Sequence, residues 1–205
     1  MVVDIIDVGF GNIQSIQNWL TRNDIPSKIV TKAKELQSET ILLPGVGSAG
    51  RYMDALKKKD FKIPLVDLTE TKRIIGICLG FQLLLSGTEE DGGVEGLDIL
   101  KGYVKKMGNN LNNNGWIKVP LDYKEITKFG FQRKISKNNK TLFCDRLYFN
   151  HEYGVILKDQ NIYTKSVSDE LKKFSSIAAK NNILGIQFHP EKSQAGGNNL
   201  LKLLV

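Results

Sequence analysis

Gly76-Ile77-Cys78-Leu79-Gly80 places a thiol between two glycines, just after the apolar residues Ile74 and Ile75. A free cysteine often packs as a small hydrophobe. This spacing also fits a nucleophile elbow, the thiol counterpart of the G-x-S-x-G turn at the end of a buried strand. The glycines let the backbone turn sharply and keep space around the sulfur. A helix starting after Cys78 points its N–H groups and positive dipole end at the thiol, which favours the thiolate. The backbone N–H of Leu79 would face an oxyanion formed beside that sulfur.

A thiol nucleophile needs a base, and the chain has two histidines, His151 and His189. His189 is followed by Pro190 and Glu191. Proline disfavours helix at the residue before it, and extended backbone puts residues i and i+2 on one face. Glu191 can therefore orient the imidazole and stabilise its charged form, completing a nucleophile, base and orienter set. His151 lies near Tyr148, Phe149 and Tyr153. It reads equally as a structural histidine and as a substrate contact.

These groups must be carried by elements that converge. The first half of the chain alternates apolar strands with helical periodicity. VVDIIDV, SKIV, TILLPG and RIIGIC read as strands; NIQSIQNWL, AGRYMDALKK, PLVDLTETK and FQLLLSG read as helices or helix starts. Such alternation predicts a parallel sheet covered on both faces, with ligands at the carboxyl ends of its strands. The second half has shorter strands, in LDILKGYVKKM, RLYFNHEYGVIL, IYTKSV, FSSIAAK and ILGIQFH, and a closing helix in NNLLKLLV. The expected fold is therefore a three-layer α/β domain, with an antiparallel extension on a mostly parallel central sheet.

Bulk properties narrow the function. The net charge is +7, but the lysines are scattered among acids with no arginine-rich stripe, so they read as a solvated surface and not a nucleic-acid site. No run reaches the roughly 20 apolar residues of a membrane span. Two cysteines make no disulfide framework, which fits a reducing compartment. The cysteine and histidine spacings make no zinc cluster. GNNLNNNG, 108–115, reads as a flexible loop. Gly9-Phe10-Gly11-Asn12 lacks the full G-x-G-x-x-G and its acidic partner, so we reject a nucleotide site there.

Elbow and HPE together resemble the class I (triad) glutamine amidotransferases, and most closely the branch that feeds imidazole glycerol phosphate synthases. DVGFGN at 7–12 is similar to that branch's D-Y-G-x-G-N, and LPGVG at 43–47 to its oxyanion-strand loop. GICLGFQLL, Glu89-Glu90, Gly115-Trp116, YFNH at 148–151 and HPEKSQ at 189–194 follow in the family's order over nearly the whole chain. The resemblance implies a flavodoxin-like glutaminase domain spanning residues 1–205, with glutamine as substrate and no metal or organic cofactor. It implies Cys78, His189 and Glu191 as the triad, and Leu79, Val46 and Gly47 as backbone oxyanion donors. Gln82, Glu90 and His151 would bind glutamine, with Glu90 as acceptor for its ammonium. Asn12, Trp116 and Lys192 would lie toward a partner subunit.

That partner is expected to be a (β/α)8 synthase or cyclase receiving the ammonia in a cytoplasmic heterodimer of histidine biosynthesis, with no nucleic acid or membrane involved. The alternatives are a paralogue feeding a surface-polysaccharide sugar amidotransferase, or a stand-alone cysteine hydrolase. Three departures bear on the choice of acceptor: Val8 stands where tyrosine is usual, Asn113-Asn114 replace His-Met before Gly115-Trp116, and Glu152 follows YFNH in place of a small hydroxyl residue.

Overall fold

The computed structural model describes residues 2–108, 113–122, 126, 142–167 and 171–204. The first half alternates strand and helix: β1 (Val3–Ile6), α1 (Ile13–Thr21), β2 (Ser27–Val30), β3 (Thr40–Leu43), α2 (Ala49–Lys58), α3 (Lys62–Asp67), β4 (Arg73–Ile77) and α4 (Leu79–Leu83). Short strands follow: β5 (Gly87–Thr88), β6 (Val94–Glu95), β7 (Gly102–Lys106), β8 (Asn113–Asp122), β9 (Leu142–His151), β10 (Tyr153–Leu157), β11 (Tyr163–Lys165), β12 (Ile177–Lys180) and β13 (Ile183–Ile186). Helix α5 (Gln194–Leu204) closes the chain.

The central sheet has seven strands in the order β11-β12-β13-β4-β3-β1-β2. Strands β2, β1, β3, β4 and β13 run parallel, and β12 pairs antiparallel with both β13 and β11. Every residue of β1, β3 and β13 is buried, as expected for parallel strands covered on both faces. One face carries α1 and α5, with Trp19, Leu20, Leu200 and Leu201 packed among Val119, Leu147 and Phe149 of the β8–β9 hairpin. The other carries α2, α3 and α4 through Tyr52, Leu56, Leu65 and Phe81.

Local chemistry explains the helix bounds. Ser48 caps α2 by accepting the Arg51 N–H, and Ala49, Tyr52, Met53 and Leu56 form its buried stripe. Lys57 and Lys58 sit in its last turn, where positive charge suits the helix dipole. Asp60 then turns at φ 59, which stops the helix.

The expected layers and antiparallel extension are present. β8 is a strand that hydropathy patterning did not reveal. It starts at Asn113, inside the asparagine-rich stretch whose residues 109–112 lie outside the described residues. RLYFNHEYGVIL is two strands belonging to different sheets, since β9 pairs with β8 and β10 pairs with β7.

The parallel order brings four strand ends side by side: β13, β4, β3 and β1. Leu43 pairs with Gly76, and Ile186 with Ile77, so Cys78 lies one residue beyond the register. The Cys78 N–H donates to the Ile186 carbonyl at 2.7 Å. The loop after β3 presses on the elbow: a Cβ on Gly80 would overlap the Leu43 carbonyl, and one on Gly45 would overlap the Gly80 nitrogen. Gly80→Ala should therefore cost roughly 1–3 kcal/mol of stability. This is read as a lower urea midpoint at unchanged m, and an unchanged midpoint would refute the close contact.

Candidate active site

Cys78 has φ 54 and ψ −111, a backbone conformation that a non-glycine residue rarely adopts. Its neighbours enforce it. A Cβ on Gly76 would come within 2.7 Å of the Phe81 nitrogen, so the chain can fold back tightly only with glycine there. The turn lifts the Cys78 side chain to the carboxyl edge of β4, where α4 begins at Leu79.

His189 reaches the same edge from β13. Its backbone is extended, at φ −100 and ψ 93, and a 3-10 turn follows over Pro190–Lys192. That turn brings Glu191 back under the ring: Glu191 Oε1 accepts from His189 Nδ1 at 2.8 Å. The expected pairing is present, formed by the turn and not by a continued strand. The hairpin holds this loop in place. His189 N–H donates to the Tyr148 carbonyl at 2.8 Å, and the Ser193 hydroxyl bridges the His189 carbonyl and the Tyr148 N–H at 2.6 and 2.9 Å. Asn12, expected toward a partner, directs its side-chain amide inward to Glu191 Oε1 at 2.5 Å.

The electrostatics favour a charged imidazole. Burial of His189 disfavours its cation, but hydrogen bonding to Cys78 and Glu191, together with their charges, outweighs burial and raises its pKa to about 10. At neutral pH the ring is an imidazolium, the partner that a thiolate nucleophile requires. His151 is the opposite case. Burial depresses its pKa to about 4, the Tyr153 carbonyl opposes this, and the charge of His189 reinforces it. Its Nδ1 lies 2.8 Å from the Tyr153 carbonyl, so the neutral ring carries its proton on Nδ1.

These groups open onto one cleft of about 330 Å³. Its walls include Cys78, His189, Leu79, Val46, Gly47, Gln82, Glu90, His151 and Lys192 from the sequence reading. Glu90 is half-buried, and its pKa is raised by burial, then by Asp91 and Glu152, against the Ala49 N–H. A substrate ammonium would relieve that cost. Gln82 donates to the Tyr153 carbonyl at 2.9 Å and to Gln187 at 3.3 Å. Sequence reading missed Gln187, whose side-chain nitrogen lies 4.0 Å from the Cys78 sulfur. Alternation along GIQFH was the available signal, since Gln187 is two residues before His189. Glu152 and Asn150 also line the cleft.

The Leu79 N–H points at the Gly45 carbonyl across 3.4 Å. The N–H expected to face an oxyanion is thus held by the loop expected to supply its companion. Trp116 is 42% exposed, and its ring lies 5.7 Å from that of Tyr148. The Lys192 ammonium sits 5.5 Å over the other ring of this pair, Tyr148.

With this geometry in place, comparison with known proteins is decisive. The profile of the family described as "Glutamine amidotransferase class-I" matches residues 4–204. The chain belongs to the class I glutamine amidotransferases. A relative named imidazole glycerol phosphate synthase subunit HisH, from Leptospira interrogans, is 34% identical over 98% of both chains. Its namesake from Oceanobacillus iheyensis is 35% identical over 98% of this chain and 96% of its own. Among solved structures, PurLQS from Thermotoga maritima superposes with a TM-score of 0.76 at 18% identity, covering 99% of this chain and 96% of that one. That likeness shows a shared α/β fold. Among the described residues of this amidotransferase, no helix is long and apolar enough to cross a membrane.

With only two histidines, imidazole NMR can test the site directly. One ring should titrate near pH 10 and the other near pH 4. Cys78→Ala and Glu191→Gln should each lower the upper value. Because the folded pKa of His189 exceeds its unfolded value, its ionisation stabilises the fold fully below pH 6.5 and loses that effect as pH rises through 10. Two rings titrating near 6.5 would contradict this electrostatic account.

Proposed function

We propose that this chain is the glutaminase subunit of an imidazole glycerol phosphate synthase, acting as one domain over residues 1–205. It supplies ammonia to a separate (β/α)8 cyclase subunit in histidine biosynthesis. The observation that carries the chemistry is the convergence of Cys78 and the paired His189 and Glu191 on the cleft walled by Gln82 and Glu90. The names of the full-length relatives support the pathway.

The Cys78 thiolate attacks the side-chain carboxamide of glutamine, forming an S–C bond while the carbonyl electrons move to oxygen. Backbone N–H groups of Leu79 and of the Val46–Gly47 loop hold that oxyanion. The intermediate collapses, the C–N bond breaks, and the His189 imidazolium protonates the leaving ammonia. The neutral imidazole then takes a proton from water, whose oxygen attacks the γ-glutamyl thioester. Collapse of the resulting intermediate breaks the S–C bond, glutamate leaves, and the Cys78 thiolate and His189 imidazolium are restored. Glu191 stays ionised and orients the ring throughout. Gln82, Glu90 and His151 seat the amino-acid head group.

Ammonia is useful only at an acceptor, so the isolated subunit should be nearly silent. The Leu79 N–H held by the Gly45 carbonyl supports a resting loop that must rotate its Gly45–Val46 peptide before the donors face the substrate. Exposed Trp116 and Lys192, grouped on Tyr148, support a partner face beside the cleft.

Three experiments test this reading. Cys78→Ala should lower glutamine-dependent synthesis by about 10³-fold or more, while synthesis from added ammonia survives; retained glutaminase activity would remove Cys78 from the mechanism. Glutamine turnover should rise about a hundredfold or more on adding the cyclase subunit with its acceptor substrate, the effect of one restored oxyanion donor. Equal turnover with and without the partner would refute the resting loop. Growth without histidine in a strain lacking this subunit separates the histidine pathway from a surface-sugar paralogue.

A further inference from the structure

We propose that Asn12 is a positioning residue for the triad: its side-chain amide fixes Glu191 in the orientation that Glu191 imposes on His189. This rests on the glutaminase reading and adds a residue to its machinery.

Asn12 occupies the N-cap of α1, a position where asparagine ordinarily accepts a backbone N–H from the first turn. It makes no side-chain cap bond. The amide instead crosses to the far end of the chain, 179 residues away, and donates to Glu191 Oε1 at 2.5 Å. The same oxygen accepts from His189 Nδ1 at 2.8 Å. Two N–H groups thus converge on one carboxylate oxygen. The other oxygen, Oε2, is buried without a hydrogen-bond partner among the described residues, as is Asn12 Oδ1. Among the described residues the carboxylate is therefore oriented through Oε1, where Asn12 supplies one of two hydrogen bonds. The direction of the amide follows from chemistry: reversed, it would set its oxygen against a carboxylate oxygen, acceptor against acceptor.

This also explains the glycine loop that no nucleotide site accounts for. Asp7 accepts the Gly9 N–H at 2.7 Å, Gly9 turns at φ 102 and Gly11 at φ 130. That path delivers residue 12 to the acid in the turn Pro190–Lys192, instead of starting the helix with an ordinary cap. A carboxylate freed from Asn12 can rotate its unpartnered oxygen toward His189 or draw away from it, and the ring then loses its aim at Cys78.

The test compares Asn12→Ala with Asn12→Asp in the glutaminase assembled with its cyclase partner. Aspartate keeps the volume of asparagine but replaces the donor with an acceptor. Both variants should lower kcat about 10- to 100-fold and leave KM for glutamine within about twofold, as expected for lost orientation of a catalytic base. A second readout is the rate at which iodoacetamide alkylates Cys78, followed by peptide mass on the chain alone; it should fall in both variants. Where Asn12→Ala fails to fold, the isosteric Asn12→Asp decides. Wild-type kcat and alkylation rate in Asn12→Asp would overturn the proposal, as would a raised KM with unchanged kcat. Failure of the underlying reading looks different: Cys78 of the wild type would react no faster than an ordinary thiol.

Discussion

The site depends on the close approach of backbone to backbone where β3 and β4 end. Gly45, Gly76 and Gly80 lie so near their neighbours that no side chain fits. Only with that clearance can Cys78 hold φ 54 and project its sulfur above the sheet. The same contact sets the Gly45 carbonyl facing the Leu79 N–H. The strained turn at Cys78 and the held Leu79 N–H are therefore two aspects of one packing constraint. A methyl group added for stability at any of these glycines would disturb both.

Two histidines a short distance apart along this edge have opposite character, and their surroundings account for it. Each is largely withdrawn from water, which alone would keep both neutral. His189 has an acid on one side and a thiol on the other, so its cation is favoured. For His151, burial and the charge of His189 together outweigh the Tyr153 carbonyl, so its neutral form is favoured. The protein thus places one proton donor and one uncharged hydrogen-bonding ring in the same cleft. It does so with identical side chains, by choosing what each ring nitrogen meets.

Much of this arrangement is legible in the chain itself. The fully buried parallel strands read as continuous apolar runs, and α2 shows its cap, its stripe and its basic end in order. The elbow is legible because glycine at both flanks of Cys78 has a steric cause that survives without coordinates. Other parts are set by long-range contact and leave little local trace. β8 is poor in strand-forming residues at its start and is stabilised by pairing along its length with β9. Gln187 looks like any polar residue at a strand end until Gln82 is placed beside it. Asn12 reads, by resemblance, as a residue facing a partner, and only the fold reveals that its amide is directed to Glu191. The turn at Pro190–Lys192 produces the His189–Glu191 contact by a route that strand alternation does not suggest.

The position of β13 has a consequence for how the protein is made. It is the last strand among the described residues, yet it lies inside the central sheet, between β12 and β4. During synthesis from the N-terminus, the strands β1 to β4 emerge and can pair long before β13 leaves the ribosome. Until then the Ile74–Ile77 edge of β4 has no neighbour on that side, an apolar ribbon of open backbone groups of the kind that recruits other chains. The nascent chain therefore carries Cys78 on an unfinished edge, without His189 beside it. Arrival of β13 and the turn after it closes the edge and brings the His189–Glu191 pair to Cys78 in one event, so a chain cut short before β13 would expose an adhesive edge.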